Sequence, residues 1–250
     1  MISRRIAVLS ALAAAGSVLT GTASASVTLP GTRVIYDANL SERSLQFTNG
    51  DTAPSVMQVW VDSGDERSTP KTADAPFVVA PPIFRIEPKA GQTVRVVFTG
   101  KDLPQDRESV FYLNTLQIPS INAAHADQNR MLVMLRNRLK LFYRPAGIEG
   151  RPQNAHEKLS FRLQGSGNGT RITASNGSGY YLSLVGGTLT CGARTSTFAA
   201  GMVAPRADAQ WDVQGTCPAN AADIRMNVRY VDDYGAVRQA DYPVGTGSAK

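Results

Sequence analysis

From Thr32 to Tyr143 apolar and polar positions trade places in short runs, as half-buried β-strands require. The runs are Thr32 to Tyr36, Ser44 to Asn49, Val56 to Val61, Phe77 to Val79, Phe84 to Glu87, Thr93 to Phe98, Phe111 to Ile118 and Met131 to Tyr143. Turn chemistry separates them at Asn49-Gly50, Ser63-Gly64-Asp65, Pro81-Pro82 and Ala90-Gly91. Short strands at this spacing predict an antiparallel sandwich over residues 26–145. Ala146 to Pro152 is rich in Pro and Gly and without periodicity, which predicts a linker. A second, smaller sandwich is expected over 153–250, from Leu159 to Leu163, Arg171 to Ser175, Tyr180 to Gly186, Thr188 to Cys191, Ile224 to Val231 and Val237 to Pro243. Its expected turns are Asn168-Gly169, Asn176-Gly177 and Gly186-Gly187. Gly192 to Gly215, rich in Ala, Thr and Arg, predicts no definite strands. The fold class is all-β.

The first residues break the pattern. Arg4 and Arg5 precede an apolar or small-residue run from Ile6 to Leu19, and Ala23-Ser24-Ala25 follows as an A-x-A site. That order reads as a secretory signal peptide over 1–25, with the remainder exported to the periplasm. No later run approaches the ~18 consecutive apolar residues of a membrane span.

Met131-Leu132-Val133-Met134-Leu135 is a second departure, apolar at every position. In a strand this makes both faces hydrophobic, whereas a sandwich strand alternates. Two readings stay open. A central strand buried on both faces is one. An edge strand is the other, with Leu132 and Met134 toward the core and Met131, Val133 and Leu135 facing outward as a stripe offered to a partner.

Composition narrows the classes. With 42% hydrophobic and 18% charged residues in 250, disorder, a collagen-like chain and a disulfide scaffold are excluded. The net charge of +6 is not gathered into basic runs with interleaved aromatics, so nucleic acid is not the expected partner. Cys191 and Cys217 are the only cysteines, and an even pair in an exported chain reads as one disulfide, worth roughly 3–4 kcal/mol in the chain-entropy model. Two isolated cysteines without a C-x-x-C or neighbouring His do not make a metal site. Catalytic motifs are missing as well: His125 and His156 are the only histidines, and no G-x-S-x-G, H-E-x-x-H or Walker sequence occurs. Gly165-Ser166-Gly167-Asn168-Gly169 reads as a hairpin turn and Asp232-Asp233 as a solvated turn. No catalytic residue, metal or cofactor is expected.

Three segments carry a resemblance. Leu103-Pro104-Gln105-Asp106-Arg107-Glu108-Ser109-Val110-Phe111-Tyr112-Leu113-Asn114 with Ile118-Pro119, Lys140-Leu141-Phe142-Tyr143-Arg144-Pro145, and Pro81-Pro82-Ile83-Phe84-Arg85-Ile86-Glu87-Pro88 resemble the periplasmic pilus chaperones. The likeness covers the first domain nearly throughout. In the second it rests on Tyr180-Tyr181 and Val231-Asp232-Asp233-Tyr234-Gly235. It implies two immunoglobulin-like sandwiches set at an angle with a cleft between them. It further implies that Arg33 and Lys140 anchor the C-terminal carboxylate of a pilin subunit, and that Met131, Val133 and Leu135 fill the groove of a subunit lacking its last strand. Glu108, Arg144 and Asp233 would form a charge network across the domain junction. The implied partners are pilin subunits and an outer-membrane usher. The short connection from Ile121 to Asn129 matches the short-loop subgroup that serves rod-like pili. Without the resemblance, Arg33 reads as a solvated strand charge and Lys140 as a cation guarding an edge, and the alternative for the whole chain is an exported adhesin or structural subunit.

Overall fold

The computed structural model describes residues 27–100, 102–120, 131–166, 169–217 and 223–246, which form two β-sandwiches in succession. The leader read in residues 1–25 lies outside the described residues, as does the whole of the 121–129 connection.

The first sandwich contains β1 (Val27–Thr28), β2 (Arg33–Asp37), β3 (Arg43–Asn49), β4 (Ser55–Asp62), β5 (Phe77–Ala80), β6 (Ile83–Ile86), β7 (Gly91–Phe98), β8 (Ser109–Pro119) and β9 (Leu135–Arg144). One sheet runs β1-β3-β7-β5 and the other β2-β9-β8-β4-β6. Alternate residues of each sheet meet between them: Val94 and Val96 of β7 oppose Val59 and Val61 of β4, Phe111 and Leu113 of β8, and Leu141 and Tyr143 of β9. Pro81-Pro82 stands where the chain leaves the first sheet after β5 and enters the second at β6, a place where the missing N–H costs no ladder bond.

A 3-10 helix, Pro152–Lys158, leads into the second sandwich, and Ile148, inside the expected linker, packs in the second core. Its strands are β10 (Leu159–Ser166), β11 (Gly169–Asn176), β12 (Leu182–Cys191), β13 (Arg194–Ala199), β14 (Met202–Val203), β15 (Asp208–Gln214), β16 (Ile224–Val231), β17 (Val237–Tyr242) and β18 (Val244–Thr246). The sheets run β15-β11-β10-β18 and β13-β12-β16-β17, with β14 paired to β12. The Cys191–Cys217 disulfide, with Cα atoms 5.7 Å apart, joins the end of β12 to the segment after β15 and so ties one sheet to the other.

Three expectations need correction. Gly186-Gly187 is not a turn: both residues lie inside β12, beside a register shift between Leu184 and Gly186. A Cβ on Gly186 would collide with the Phe198 carbonyl, and one on Gly187 with the Asn227 carbonyl and the Phe198 ring, so close approach of neighbouring strands explains the pair. The segment left without strands, 192–215, holds the whole of β13, β14 and β15. Finally, the strand expected from Met131 begins only at Leu135. β8 offers its last partner at Gln117, opposite Leu135, and β2 starts beside Lys140. Residues 131–134 therefore have no described strand on either side to satisfy their backbone groups.

Candidate functional site

β9 carries most of the site, and its alternation assigns the faces. Leu139, Leu141 and Tyr143 turn into the first core, while Lys140, Phe142 and Arg144 turn outward toward the second domain. Leu135 pairs with Gln117 as Leu139 pairs with Leu113, so Leu135 lies on the core face, not the outward face expected for it. It remains exposed because the sandwich ends there. The opening, a cavity of about 420 Å3, is bordered by Val27, Leu29, Phe47, Met57, Asn137 and Leu139. Burial on both faces is overturned too: all five residues of the apolar run are exposed, from 46% for Leu132 to 89% for Met131, and neither Leu132 nor Met134 reaches the core. From Leu135 to Leu139 β9 is paired to β8 alone among the described residues, leaving a free strand edge that ends where β2 begins.

Arg33 and Lys140 stand side by side at that point, as register partners of the parallel β2–β9 ladder. The Arg33 guanidinium lies 6.0 Å from the Phe142 ring centroid and donates through Nη1 to the Val231 carbonyl at 3.1 Å. Its Nε is buried and finds no hydrogen-bond partner. Lys140 Nζ donates to Ser183 Oγ at 3.3 Å. Burial lowers the pKa of both; Asp233, Asp232 and Glu108 oppose the effect at Arg33, and the neighbouring Arg33 charge adds to it at Lys140. Among the described residues neither cation forms an ion pair. Two adjacent, half-desolvated cations thus stand together with no carboxylate in ion-pair contact among the described residues.

The structure brings Glu108, Arg144 and Asp233 together beside it. Arg144 donates through Nε to Glu108 at 2.7 Å, and through Nη1 and Nη2 to the two Asp233 oxygens at 2.8 and 3.1 Å. Glu108 also accepts from the Tyr181 amide at 2.8 Å, and its own N–H donates to the Gly179 carbonyl, so one residue of the first domain bridges to the second twice. These are not surface charges: Glu108 is buried and Arg144 nearly so. Burial pushes the Glu108 carboxyl up, against Arg144 and the Tyr181 amide. Burial alone would lower Arg144, but its two carboxylates reverse that and hold it charged.

A further cluster, unread in the sequence, lies on the outer face of the same sheet. Asp62 is fully buried at the end of β4, where it accepts from Ser68 Oγ (2.9 Å), Asn114 Nδ2 (2.6 Å), Arg138 Nη2 (2.7 Å) and the Gly64 amide (2.7 Å). Burial would raise its pKa, and the hydrogen bonds from Arg138, Asn114 and Ser68 outweigh it, so the net direction is down. Arg138 stacks over Tyr112, 3.6 Å from the ring centroid, and Arg136 over Trp60 at 5.0 Å. The only available signal was an acidic residue ending an apolar strand, which reads as a solvated charge.

Comparison with known proteins places this geometry. Residues 26–149 match the family described as pili and flagellar-assembly chaperone, PapD N-terminal domain, and residues 154–242 match the pili assembly chaperone PapD C-terminal domain. The chain belongs to the PapD family of pilus-assembly chaperones. Among its relatives, the chaperone FimB/FhaD of Bordetella pertussis is 35% identical over 244 residues, covering 94% of each chain. The probable fimbrial chaperone YadV of Escherichia coli is 34% identical over 215 residues, or 84% of this chain and 87% of its own. The YadV chaperone crystal structure superimposes with a TM-score of 0.73 and 30% identity over 87% of this chain and 98% of that one. The SafB chaperone of Salmonella enterica, solved in complex with the SafA pilin, gives a TM-score of 0.68 at 28% identity over 89% and 98%. This chaperone is thus an all-β, two-domain member of the family.

Proposed function

We propose that the chaperone works in the periplasm, where it caps pilin subunits by lending them an edge strand and delivers them to an outer-membrane usher, with residues 1–25 as its export signal. Arg33 and Lys140, adjacent and in no ion pair among the described residues at the end of a free strand edge, carry this reading. A subunit strand pairing with Leu135 to Leu139 occupies the lane that β2 fills further on. Running parallel to β9, it ends with its carboxyl group against Arg33 and Lys140. The apolar face beside it is a continuation of the chaperone's own core face: Leu135, and Val133 and Met131 once drawn into strand, extend that face into the core of the incomplete subunit. The SafB–SafA complex of a structural relative supports a pilin as the occupant.

Magnitudes require both parts. Charge-assisted bonds contribute roughly 1.5–3 kcal/mol each and three buried apolar side chains about 1.5–3 kcal/mol each, against an association cost of ~4–15 kcal/mol. Neither part alone is dependable. Glu108, Arg144 and Asp233 fix the two domains so that Arg33 and Lys140 face the lane together. Co-expression with a pilin subunit tests the proposal. Lys140→Ala and Val133→Glu should each give a folded chaperone that retains no subunit. Normal subunit recovery with Lys140→Ala would sink it.

A further inference from the structure

We propose that Met131 is an oxidation-sensitive switch on the lent strand, its thioether turned by hydrogen peroxide into a sulfoxide that the subunit groove rejects; this rests on the strand-lending reading above. Sulfur is sharply sorted in this chain. Both cysteines are joined in the Cys191–Cys217 bond, so peroxide meets no thiol. Of the six methionines, Met1 lies in the leader, Met57 and Met226 are sealed in the two cores, and Met202 is half-buried in β14. Met131, 89% exposed, and Met134, 55% exposed, stand apart from these in the apolar run. An oxidant therefore meets sulfur first on the segment that enters the subunit.

Alternation gives the two exposed methionines different fates. Counting back from Leu135 in twos, Met131 shares the face of Val133 and Leu135 that enters the subunit, whereas Met134 falls on the opposite face. Peroxide reaches both in the free chaperone, but only Met131 is carried into the groove. In the reaction the sulfur lone pair attacks one peroxide oxygen. The S–O bond forms as the O–O bond breaks, the thioether is oxidised by two electrons, and the peroxide ends as water once the proton on the transferred oxygen passes to the departing hydroxide. The product carries a strong hydrogen-bond acceptor, and an apolar groove has no donor to meet it. A flexible thioether suits the outermost position of the stripe because it fills irregular space. Leucine would pack there without this sensitivity, so the sulfur is what makes capture respond to oxidant. Methionine sulfoxide reductases return the thioether, which makes the block reversible.

Two probes of the purified chaperone separate this proposal from the reading beneath it. One is the pilin subunit recovered by co-expression, unfolded and diluted into the chaperone. The other is a peptide of about five residues, alternating Val and Thr with a free carboxyl terminus, long enough to pair with Leu135 to Leu139 and too short to reach Met131. After peroxide, mass spectrometry of proteolytic fragments should find sulfoxide at Met131 and Met134 before Met57 and Met226. Subunit capture should fall at least about tenfold while peptide affinity and the melting temperature hold. Met131→Leu should capture normally and keep its capture through peroxide, whereas Met134→Leu should lose it as the wild type does. Met131→Gln should capture poorly without any oxidant, and sulfoxide reductases should restore the treated wild type. Undiminished capture by a chaperone carrying the Met131 sulfoxide, equal loss in Met131→Leu, a loss shared by the peptide, or one that the reductases leave in place overturns the switch alone. So does oxidation that spares Met131. An untreated chaperone that captures neither probe overturns the strand-lending reading, and the switch with it.

Discussion

At the hinge end of β9, Leu141 and Tyr143 are sealed in the first core and Arg144 is held by two carboxylates; at the other end Leu135 faces the same way as Leu141 and is half exposed. The alternation is one and the same. What differs is the neighbourhood: the hinge end has β2 on one side and β8 on the other, while the distal end has β8 alone. Apolar pattern therefore fixes which residues share a face, and strand partners fix whether that face is covered. An apolar face continued past its own sandwich is an unfinished core, and another chain can finish it.

Truncation tests that contrast most severely. Leu141→Ala should destabilise the first domain by about 2–5 kcal/mol in denaturant unfolding, because a fully buried leucine leaves a cavity. Leu135→Ala, of identical chemistry three pleat repeats away, should stay within about 0.5 kcal/mol and lose subunit retention instead. Similar destabilisation by both would mean that the distal end is packed in the free protein, and the contrast would collapse.

The second domain provides a control for the first. Its disulfide closes a loop of 26 residues between its two sheets, so reduction or a Cys191→Ser, Cys217→Ser double variant should cost roughly 3–4 kcal/mol. That loss should appear in the second domain's melting while the first core persists, since Cys191 and Cys217 pack only with the second core. Thiol labelling of the native, unreduced protein should find nothing to label. A free thiol would show that the Cys191–Cys217 bond does not form, and joint melting of both domains on reduction would show that the cores are not separable and that β9 cannot be discussed by itself.

Legibility followed the same division. In the first domain every strand from Thr32 onward was read within a few residues of its place, because alternation or a run of β-branched and aromatic residues marks each one, β4 and β8 included although both of their faces are partly covered. The exception was β9, whose start depends on partners that no local pattern reports. Its face assignment needed the Gln117–Leu135 pairing, since alternation is blind to which face is inside. In the second domain Gly186-Gly187 imitated a turn while serving close strand approach, and β13 and β15, exposed along much of their length, gave little apolar signal. Arg33, Lys140, Glu108, Arg144 and Asp233 were reached through family resemblance; their residue types alone describe ordinary surface charges. The Asp62 cluster showed in the sequence only as an acidic residue ending an apolar strand, because its meaning depends on Asn114 and Arg138 coming from two other strands.

The smallest effect is the most particular to the anchor, since it separates folding from capture by sign. In the free chaperone burial and the Arg33 charge lower the Lys140 pKa below its ordinary 10.5, so the folded state holds this proton less tightly than the unfolded chain. Between the lowered value and 10.5 the unfolded chain binds more protons, and the Lys140 contribution to stability therefore increases as pH rises. A subunit carboxylate acts the other way: it favours the charged amine, so binding in that window takes up a proton and weakens as pH rises. One residue thus makes alkaline conditions favourable for its own fold and unfavourable for its ligand. Peptide affinity should fall between neutral pH and 10.5, by no more than about tenfold per pH unit for a single proton. The slope should be absent from whatever binding Lys140→Ala retains. Affinity that stays flat across this range in the wild type would mean that the Lys140 amine does not meet the carboxylate, leaving the distal end of β9 as an apolar edge without an electrostatic stop.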